Sequence, residues 1–260
     1  MPVLCYHAWN HAVRELFLTG ATGRLGRTVQ RNLNNSWIIH PCSLSGGDDL
    51  TKTEPRDIVP GKADFVLNCA AMSSRAGCMD NPYFAYRLNS LWPQKLAVFC
   101  AETHTRMVHI STDLVYSGGI PPYTERSPAV PRSLYGWTKL LGDIAVLNRN
   151  PRACVVRTSV LTGKAGAKMT TFSEDILSGR ASSFHVDCFR NHTDINALAR
   201  FLSKCLFSSM NGLVLAAAPY SMSRASYAYT LLKKDINLIN GPSHIPHDLT
   251  LKPSVSIAEE

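Results

Sequence analysis

The stretch Glu15-Leu-Phe-Leu-Thr19-Gly20-Ala-Thr-Gly23-Arg-Leu-Gly26 decides how this chain folds. A short apolar run ends in glycines spaced as G-x-x-G-x-x-G, and helical spacing follows over residues 24–33. Glycines at such a turn let the backbone turn sharply, leave N–H groups free for a pyrophosphate, and bring the helix close to the strand. The stretch therefore predicts a dinucleotide site, and the alternative is a turn that serves the fold alone.

Strand-like and helix-like segments alternate outward from this turn. The further strands are predicted at residues 37–40, 64–69, 106–111 and 153–157, and the further helices at 83–103, broken at Trp92-Pro93, and at 134–148. Short β-branched runs that alternate with helices are typical of a parallel sheet covered on both faces. The sequence thus predicts an α/β fold, a Rossmann-type doubly wound parallel sheet with a small C-terminal substrate lobe.

The texture of the sequence changes after Thr158. Residues 163–191 are rich in Gly, Ser, Thr and Lys, with helices predicted at 170–178 and 194–207 and a strand at 212–216. We interpret residues 1–160 as an NADP-binding domain and residues 161–260 as a substrate-binding lobe interleaved with the last elements of the sheet. His185 and His192, in the polar loop, are expected to face solvent.

Composition excludes several classes of protein. The 260 residues are 45% apolar and 18% charged, proportions that argue against a disordered, collagen-like or coiled-coil chain. No apolar run approaches the roughly 20 residues of a membrane span, and Met1 to Glu15 lacks the pattern of a secretory signal. The net charge of +8 is scattered, so nucleic acid is not an expected partner. None of the eight cysteines forms a C-x-x-C pair, so no metal site is expected. The cysteines are expected to be buried free thiols in a reducing compartment, and the predicted location is cytoplasmic.

The end of the second predicted strand bears on the choice of cofactor. Residues 40–45 contain no acid that would bind a ribose 2′-hydroxyl, while Arg24 and Arg27 follow the glycine turn. This arrangement favours NADP. Asp48 or Asp49 could instead take the ribose hydroxyls or the adenine edge, so NAD remains an alternative.

A tyrosine and a lysine one helical turn apart are the most specific chemical signal. Tyr135 and Lys139 share a helix face, and a neighbouring ammonium is expected to lower the pKa of the tyrosine for proton transfer. The strand before them ends at Thr112, which places a hydroxyl at the carboxyl edge of the sheet, where ligands bind in such folds.

With these motifs in order, the chain resembles the extended short-chain dehydrogenase/reductases, and within them the dTDP-4-dehydrorhamnose reductase branch. The matching stretches cover about two thirds of the chain, at residues 19–26, 64–71, 87–89, 110–118, 135–142 and 156–159. The resemblance implies that Thr112, Tyr135 and Lys139 are catalytic, that Asn89 braces the site, and that Ala70 and Ala71 line the adenosine. In the substrate half, Asn191-His192-Thr193 replaces the family's usual Pro-Thr step.

The predicted site residues fall into two further sets. The cofactor set comprises Gly20, Thr22, Gly23, Arg24, Leu25, Gly26, Asp49, Leu50, Cys69, Ala70, Ala71, Asn89, Tyr135 and Lys139. The substrate set comprises Ser73, Asp113, Trp137 and Arg190, with Arg190 as an anion clamp and Trp137 as a stacking surface.

The resulting hypothesis is an NADPH-dependent reductase of a carbonyl, the 4-keto group of a nucleotide-activated deoxysugar or another small carbonyl substrate. One alternative is a non-catalytic NADP-binding regulatory subunit, which the resembling branch also contains. Another is a sugar-nucleotide epimerase or dehydratase; Asp113 follows Thr112, but the accompanying Glu that dehydration calls for is missing. A homodimer is one expected assembly.

Overall fold

The computed structural model describes residues 13–33, 37–166 and 170–257. The strands are β1 Arg14–Thr19, β2 Trp37–Cys42, β3 Phe65–Asn68, β4 Arg106–Thr112, β5 Cys154–Thr158, β6 Leu161–Thr162, β7 Ser183–His185, β8 Phe189–Asn191, β9 Thr193–Asp194, β10 Gly212–Ala217, β11 Ser221–Ser223, β12 Asn237–Ile239 and β13 Val255–Ser256. The helices are α1 Arg24–Asn32, α2 Pro55–Ile58, α3 Arg75–Asp80, α4 Pro82–Tyr86, α5 Trp92–Glu102, α6 Leu134–Arg149, α7 Phe172–Leu177, α8 Ile195–Phe207 and α9 Arg224–Leu232. The prediction made on Met1 to Glu15 falls almost wholly outside the described residues.

Seven strands form the central sheet, in the order β13-β10-β5-β4-β3-β1-β2, and every neighbouring pair is parallel. Helices α1 and α8 pack together on one face, and α5 and α6 on the other. The predicted doubly wound sheet is confirmed. The chain leaves β1 in one direction to β2 and returns on its other side as β3, and ligands bind in such sheets at the carboxyl ends beside this reversal.

The C-terminal part contributes to two structures. Strands β10 and β13 complete the central sheet. The other strands form two-stranded pairs outside it: β7 with β12, β8 with β11, and β9 with β6. Helices α7 and α9 pack against each other beside these pairs. None of the described helices combines the length and the apolar character that crossing a bilayer requires.

Two of the differences from the predicted elements have a reason in backbone chemistry. Strand β2 continues to Cys42 through Pro41, which an edge strand tolerates because one side of it needs no ladder hydrogen bonds. The helix expected over residues 83–103 is α4 and α5 joined by a π-helical turn, Arg87–Leu91. This turn ends immediately before α5, where Pro93 has no N–H to donate to the carbonyl of Asn89 four residues back, so the ladder of α-helical hydrogen bonds is interrupted there.

Candidate active site

Two cavities open at the carboxyl ends of β1, β3 and β4. The outer cavity, about 490 Å³, is lined by Gly20, Thr22, Gly23, Ser43, Leu44, Ser45, Asp48, Asp49, Leu50, Cys69, Ala70, Ala71, Met72, Phe84 and Leu88. The inner cavity, about 250 Å³, is lined by Gly20, Gly23, Arg24, Leu25, Gly26, Cys69, Ala71, Ser73, Ile110, Ser111, Thr112, Leu114, Tyr135, Lys139, Thr158, Ser159, Val160, Leu161 and Arg190. Because they share the glycine turn and the end of β3, the two cavities form one cleft of the size that ligand sites have. Apart from Asn89, every predicted cofactor residue lines it.

The three glycines of the turn have different structural roles. Gly20 has a φ of +66°, and a Cβ there would lie 2.7 Å from the backbone nitrogen of Ala70. A Cβ on Gly26 would clash with the carbonyl oxygen of Gly20, so both residues are required by the fold itself. Gly23, whose Cβ would approach that same oxygen at 3.1 Å, caps α1 without a side-chain hydrogen bond and leaves the helix N-terminus bare.

Asn89 holds the loop that follows β3. Its side-chain oxygen accepts the N–H of Met72 at 2.9 Å, and its Nδ2 donates to the carbonyl of Met72 and to Thr138 Oγ1. Gly142 lets α6 pack directly on the carbonyl of Asn89, because a Cβ there would clash with it. Asn89 thus supports the wall of the cleft from behind, and because it does not line the cleft, its predicted place among the cofactor-binding residues is wrong.

Tyr135 lies in the first turn of α6, which begins where Ser133 accepts the N–H of Gly136 at 3.1 Å. The tyrosine is 8% exposed, lines the inner cavity, and shares a hydrogen bond with the side chain of Thr112. Burial raises its pKa, and the charge of Asp113 adds to the rise, while the Thr112 hydrogen bond and Arg24 oppose it. The expected lowering of the pKa of Tyr135 is therefore wrong, and the phenol is neutral at pH 7.

Lys139 reaches the same cavity from one turn further along α6. Its Nζ donates to the carbonyl of Ile110 at 2.7 Å and lies 3.2 Å from Nε2 of His109. Burial lowers the pKa of Lys139 to about 8, against the opposing charges of Asp143 and Cys69. These contacts hold the ammonium against β4 at the wall of the inner cavity.

Two predicted substrate residues are bound to each other. Asp113 is fully buried, and its two carboxylate oxygens accept two hydrogen bonds from the guanidinium of Arg190. Ser159 Oγ also donates to Asp113 Oδ2 at 2.5 Å. Asp113 is therefore a support of Arg190 and not a surface for substrate, and Arg190 lines the inner cavity with its charge already paired. Ser73 also lines that cavity, and its contact with substrate stays a prediction.

Trp137 does not reach the cleft. It is 47% exposed and shares the outer face of α6 with Leu141 and Ile144. Residues two apart on a helix point to opposite sides, so the burial of Tyr135 turns Trp137 outward. The predicted stacking role is wrong for this geometry.

The two arginines that follow the glycine turn lie near different cavities. Arg24 donates to the carbonyl of Thr170 at 3.1 Å and lines the inner cavity, whereas Arg27 donates to the carbonyl of Thr22 at 3.1 Å. The hydroxyl of Thr22 in turn accepts from Ser45, across the turn that follows β2. Of the two predicted cations, Arg27 is thus the one beside the outer cavity.

Two further arginines, Arg224 and Arg75, lie near Arg190. Arg224 begins α9, and its pKa is lowered to about 10 by burial, with the charges of Arg190 and Arg75 adding to the effect. His192 is buried and stacks on Tyr227 with ring centroids 4.1 Å apart, so its predicted exposure is wrong. The polar loop that contained it in the sequence is covered in the fold by α7 and α9.

Sequence reasoning missed the polar residues beneath Lys139. His109 and Asn68 are fully buried, as is Asp143 on α6. The signal was present, because an imidazole in the middle of the apolar run 106–111 and an asparagine ending the run 64–69 are both unusual in buried strands.

Comparison of the sequence with known protein families assigns the chain to one of them. A family profile described as RmlD substrate binding domain matches residues 14–238. The chain belongs to this family. The predicted resemblance to the dTDP-4-dehydrorhamnose reductase branch, a family of short-chain-dehydrogenase-like ketoreductases, is confirmed.

The relatives of this RmlD-family chain include both reductases and a subunit of a methionine adenosyltransferase. A dTDP-4-dehydrorhamnose reductase of Mycobacterium tuberculosis is 31% identical over 211 residues, which are 78% of this chain and 69% of the relative. The methionine adenosyltransferase 2 subunit beta of Xenopus tropicalis is 36% identical over 165 residues, 58% of this chain and 48% of the relative.

Solved structures support the same fold. A dTDP-4-dehydrorhamnose reductase ortholog from Clostridium acetobutylicum has a TM-score of 0.79 at 25% identity, covering 92% of this chain and 89% of its own. A dTDP-4-dehydrorhamnose reductase from Bacillus anthracis, solved in complex with NADP, has a TM-score of 0.81 at 23% identity, covering 95% and 91%.

Proposed function

We propose that this chain is an NADPH-dependent reductase that acts on the 4-keto group of a nucleotide-activated deoxysugar. The observation that carries the proposal is the lining of the inner cavity, where Thr112, Tyr135 and Lys139 meet the glycine turn. The named reductases among its relatives support the same reaction class. The cytoplasmic location and a homodimer stay predictions.

The cleft fits a dinucleotide. The bare N-terminus of α1 and the glycine turn leave room where a Cβ on Gly23 would stand, and backbone N–H groups at a helix N-terminus suit a pyrophosphate. The outer cavity, with Asp49, Leu50, Ala70 and Ala71 on its walls, would hold the adenosine half. Bound NADPH would supply the hydride.

The side chains of the inner cavity divide the remaining work. Tyr135 would give its proton to the oxygen of the reduced carbonyl, for which a tyrosine kept neutral by burial is suited. Thr112, hydrogen-bonded to Tyr135, would hold the carbonyl oxygen against it. Lys139 would place its positive charge near the alkoxide as it forms and bind the cofactor ribose.

The cluster of arginines supports a diphosphate-bearing substrate. Arg190, Arg224 and Arg75 lie close enough for the charges of the other two to lower the pKa of Arg224. Because Asp113 neutralises one of them, the group of arginines around Arg190 keeps a surplus of positive charge. A nucleoside diphosphate would balance this surplus, and guanidinium groups bind phosphate oxygens bidentately.

A competing function is a non-catalytic regulatory subunit, which the Xenopus relative favours by its 36% identity. Such a protein would bind NADPH through the outer cavity and turn nothing over. A dehydratase is disfavoured, because dehydration calls for an acid beside Thr112 and the neighbouring Asp113 has its carboxylate held by Arg190 and Ser159.

Oxidation of NADPH, followed at 340 nm with dTDP- and UDP-activated 4-keto-6-deoxyhexoses, tests the proposal. We expect turnover with at least one nucleotide sugar and little with the free keto sugar, because the latter lacks the diphosphate. NADPH binding without turnover of any nucleotide keto sugar would contradict the proposal and favour the regulatory function.

A further inference from the structure

A buried hydroxyl at the end of β5 has no partner in the part of the chain that the structure describes. Thr158 is the last residue of β5, lies opposite Thr112 in the parallel pairing of β4 with β5, and is 5% exposed. Its Oγ1 is buried and makes no hydrogen bond to any described residue. Leaving a buried hydroxyl without a partner costs free energy, so such a group calls for an explanation.

The polar side chains on either side of Thr158 are satisfied by the protein itself. Arg157 donates from Nε to Oδ2 of Asp143 at 2.9 Å. Ser159 donates from Oγ to Oδ2 of Asp113 at 2.5 Å. Of these three consecutive polar residues, Thr158 alone lacks a partner among the described residues.

Thr158 lies at the wall of the inner cavity, which it lines together with Val160 and Leu161. Cys154 and Val156 alternate with it along β5 and pack in the core that contains α1 and α8. Because alternate residues of a strand point to the same face, Thr158 belongs to the α1 face of the sheet.

The catalytic side chains reach the same cavity from the other face. Tyr135 and Lys139 project from α6, which packs with α5 on that face. Gly23 and Arg24, at the N-terminus of α1, line the cavity on the face to which Thr158 belongs. A dinucleotide whose pyrophosphate binds at that helix N-terminus would therefore have its nicotinamide half in the cavity that Thr158 lines.

The chemistry of the wall fits a nicotinamide ring. Val160 and Leu161 offer apolar surface to a flat ring, and the ring has one hydrogen-bonding substituent, its carboxamide. A threonine hydroxyl both donates and accepts, as a carboxamide does. Rotation about χ1 moves the hydroxyl of Thr158 between staggered positions without moving the backbone, so it can turn to meet such a group.

We propose that the hydroxyl of Thr158 is a hydrogen-bond partner of the carboxamide of the bound nicotinamide and holds the ring at the end of β5. The proposal rests on the NADPH binding that belongs to the proposed function, and it is independent of which keto sugar is reduced.

The first test uses the protein without cofactor. Thr158→Val replaces the hydroxyl by a methyl group of nearly the same shape, and since no hydrogen bond within the protein is lost, the melting temperature should be unchanged or higher. Thr162→Val is the matched control, because Thr162 is fully buried, its Oγ1 has no partner among the described residues either, and it is not one of the residues that line the inner cavity. A clear fall in melting temperature in Thr158→Val alone would show that the hydroxyl already has a partner in the protein, and would overturn the proposal.

The second test measures binding by isothermal titration calorimetry in the absence of substrate. Thr158→Val should weaken NADP⁺ about fivefold, the equivalent of one neutral hydrogen bond, and should leave the affinity for 2′-phospho-ADP-ribose unchanged, because that fragment lacks the nicotinamide. Thr158→Ser keeps the hydroxyl and should restore the affinity for NADP⁺, and Thr162→Val should bind as the wild type does. Unchanged binding of NADP⁺ in Thr158→Val, or equal weakening of both ligands, would contradict the proposal.

Two analogues of NADP⁺ identify the group on the ring. The 3-acetylpyridine analogue lacks the amide N–H groups, and the thionicotinamide analogue replaces the carbonyl oxygen by sulfur, a weaker acceptor. With at least one of them, the wild type and Thr158→Val should have the same affinity. A fivefold difference that persists with both analogues would place the hydroxyl against another group and overturn the proposal. If Thr158→Val does not fold, Thr158→Ala removes the same hydroxyl, and the same binding results are expected of it.

Turnover separates this proposal from the proposed function. A wild-type protein that binds NADP⁺ and reduces no nucleotide keto sugar would contradict the proposed function and leave the binding comparisons valid. Normal turnover in the wild type with equal NADP⁺ affinity in Thr158→Val would contradict the role of Thr158 alone. A protein that does not bind NADP⁺ would contradict both.

Discussion

The guanidinium of Arg190 and the carboxylate of Asp113 form a two-bond ion pair, with Nε–Oδ2 and Nη2–Oδ1 distances of 2.6 and 2.5 Å. Asp113 follows Thr112 at the end of β4, and Arg190 lies in β8 of the C-terminal part. The pair ties the strand that carries Thr112 to the part of the chain that we propose binds the sugar nucleotide.

Asp113→Asn should lower the free energy of unfolding by about 3 kcal/mol, because breaking a buried ion pair leaves a charge without a partner. Urea denaturation at pH 7 measures the change. Asp175→Asn, which breaks the exposed pair with Arg180, is the control and should cost less than about 1 kcal/mol. Equal losses of unfolding free energy in the two variants would show that the buried ion pair stabilises the fold no more than the exposed one.

Lys139→Met should be more stable than the wild type at neutral pH. Burial lowers the pKa of Lys139 from 10.5 to about 8, so below pH 8 the folded protein holds a charge that the unfolded chain accommodates better. The difference between the two proteins should be about 3 kcal/mol at pH 7 and shrink as the pH rises towards 10.5.

Urea denaturation of both proteins from pH 7 to 10.5 measures this difference, and subtraction removes the groups that they share. Lys252→Met, at an exposed lysine, is the control and should show no such trend. A difference that is independent of pH would argue against a perturbed Lys139.

Gly23→Val separates cofactor binding from folding better than Gly20→Val. Gly20 has a positive φ and lies against the backbone of Ala70, so a side chain there should prevent folding. Gly23→Val should fold and lose the thermal stabilisation by NADPH. Differential scanning fluorimetry with and without NADPH measures both; an undiminished shift in Gly23→Val would place the pyrophosphate elsewhere.

Arg27→Ala should reduce the preference for NADPH over NADH, whereas Arg24→Ala should weaken both cofactors alike. Arg27 lies beside Thr22 at the outer cavity, while Arg24 lines the inner one. The ratio of kcat/KM for the two cofactors should fall about tenfold in Arg27→Ala, the equivalent of one charge-assisted hydrogen bond. The reverse pattern would exchange the roles of the two arginines.

The parts of the site that the sequence predicts are those encoded over short distances. The glycine turn is bounded by a strand and a helix, and Tyr135 and Lys139 are one helical turn apart, so local pattern finds them. The stacking role predicted for Trp137 is wrong because the direction of its side chain depends on which face of α6 is buried, and the sequence around it does not show that face.

The remainder depends on contacts between distant residues. Asp113 and Arg190 are 77 positions apart and Asn68 and His109 are 41 apart, so the sequence can mark single residues as unusual but does not show which of them pair. The pKa of Tyr135 could not be predicted from Lys139 four residues on, because burial of the phenol outweighs the charges around it.

The rate of NADPH oxidation in a single turnover by Tyr135→Phe, with the nucleotide keto sugar that the wild type reduces, tests the central claim most directly. Removing the phenolic proton should slow the reaction by about 10²-fold or more, while the dissociation constant of NADPH stays at its wild-type value. A wild-type rate in Tyr135→Phe would contradict the assignment of Tyr135 as the proton donor.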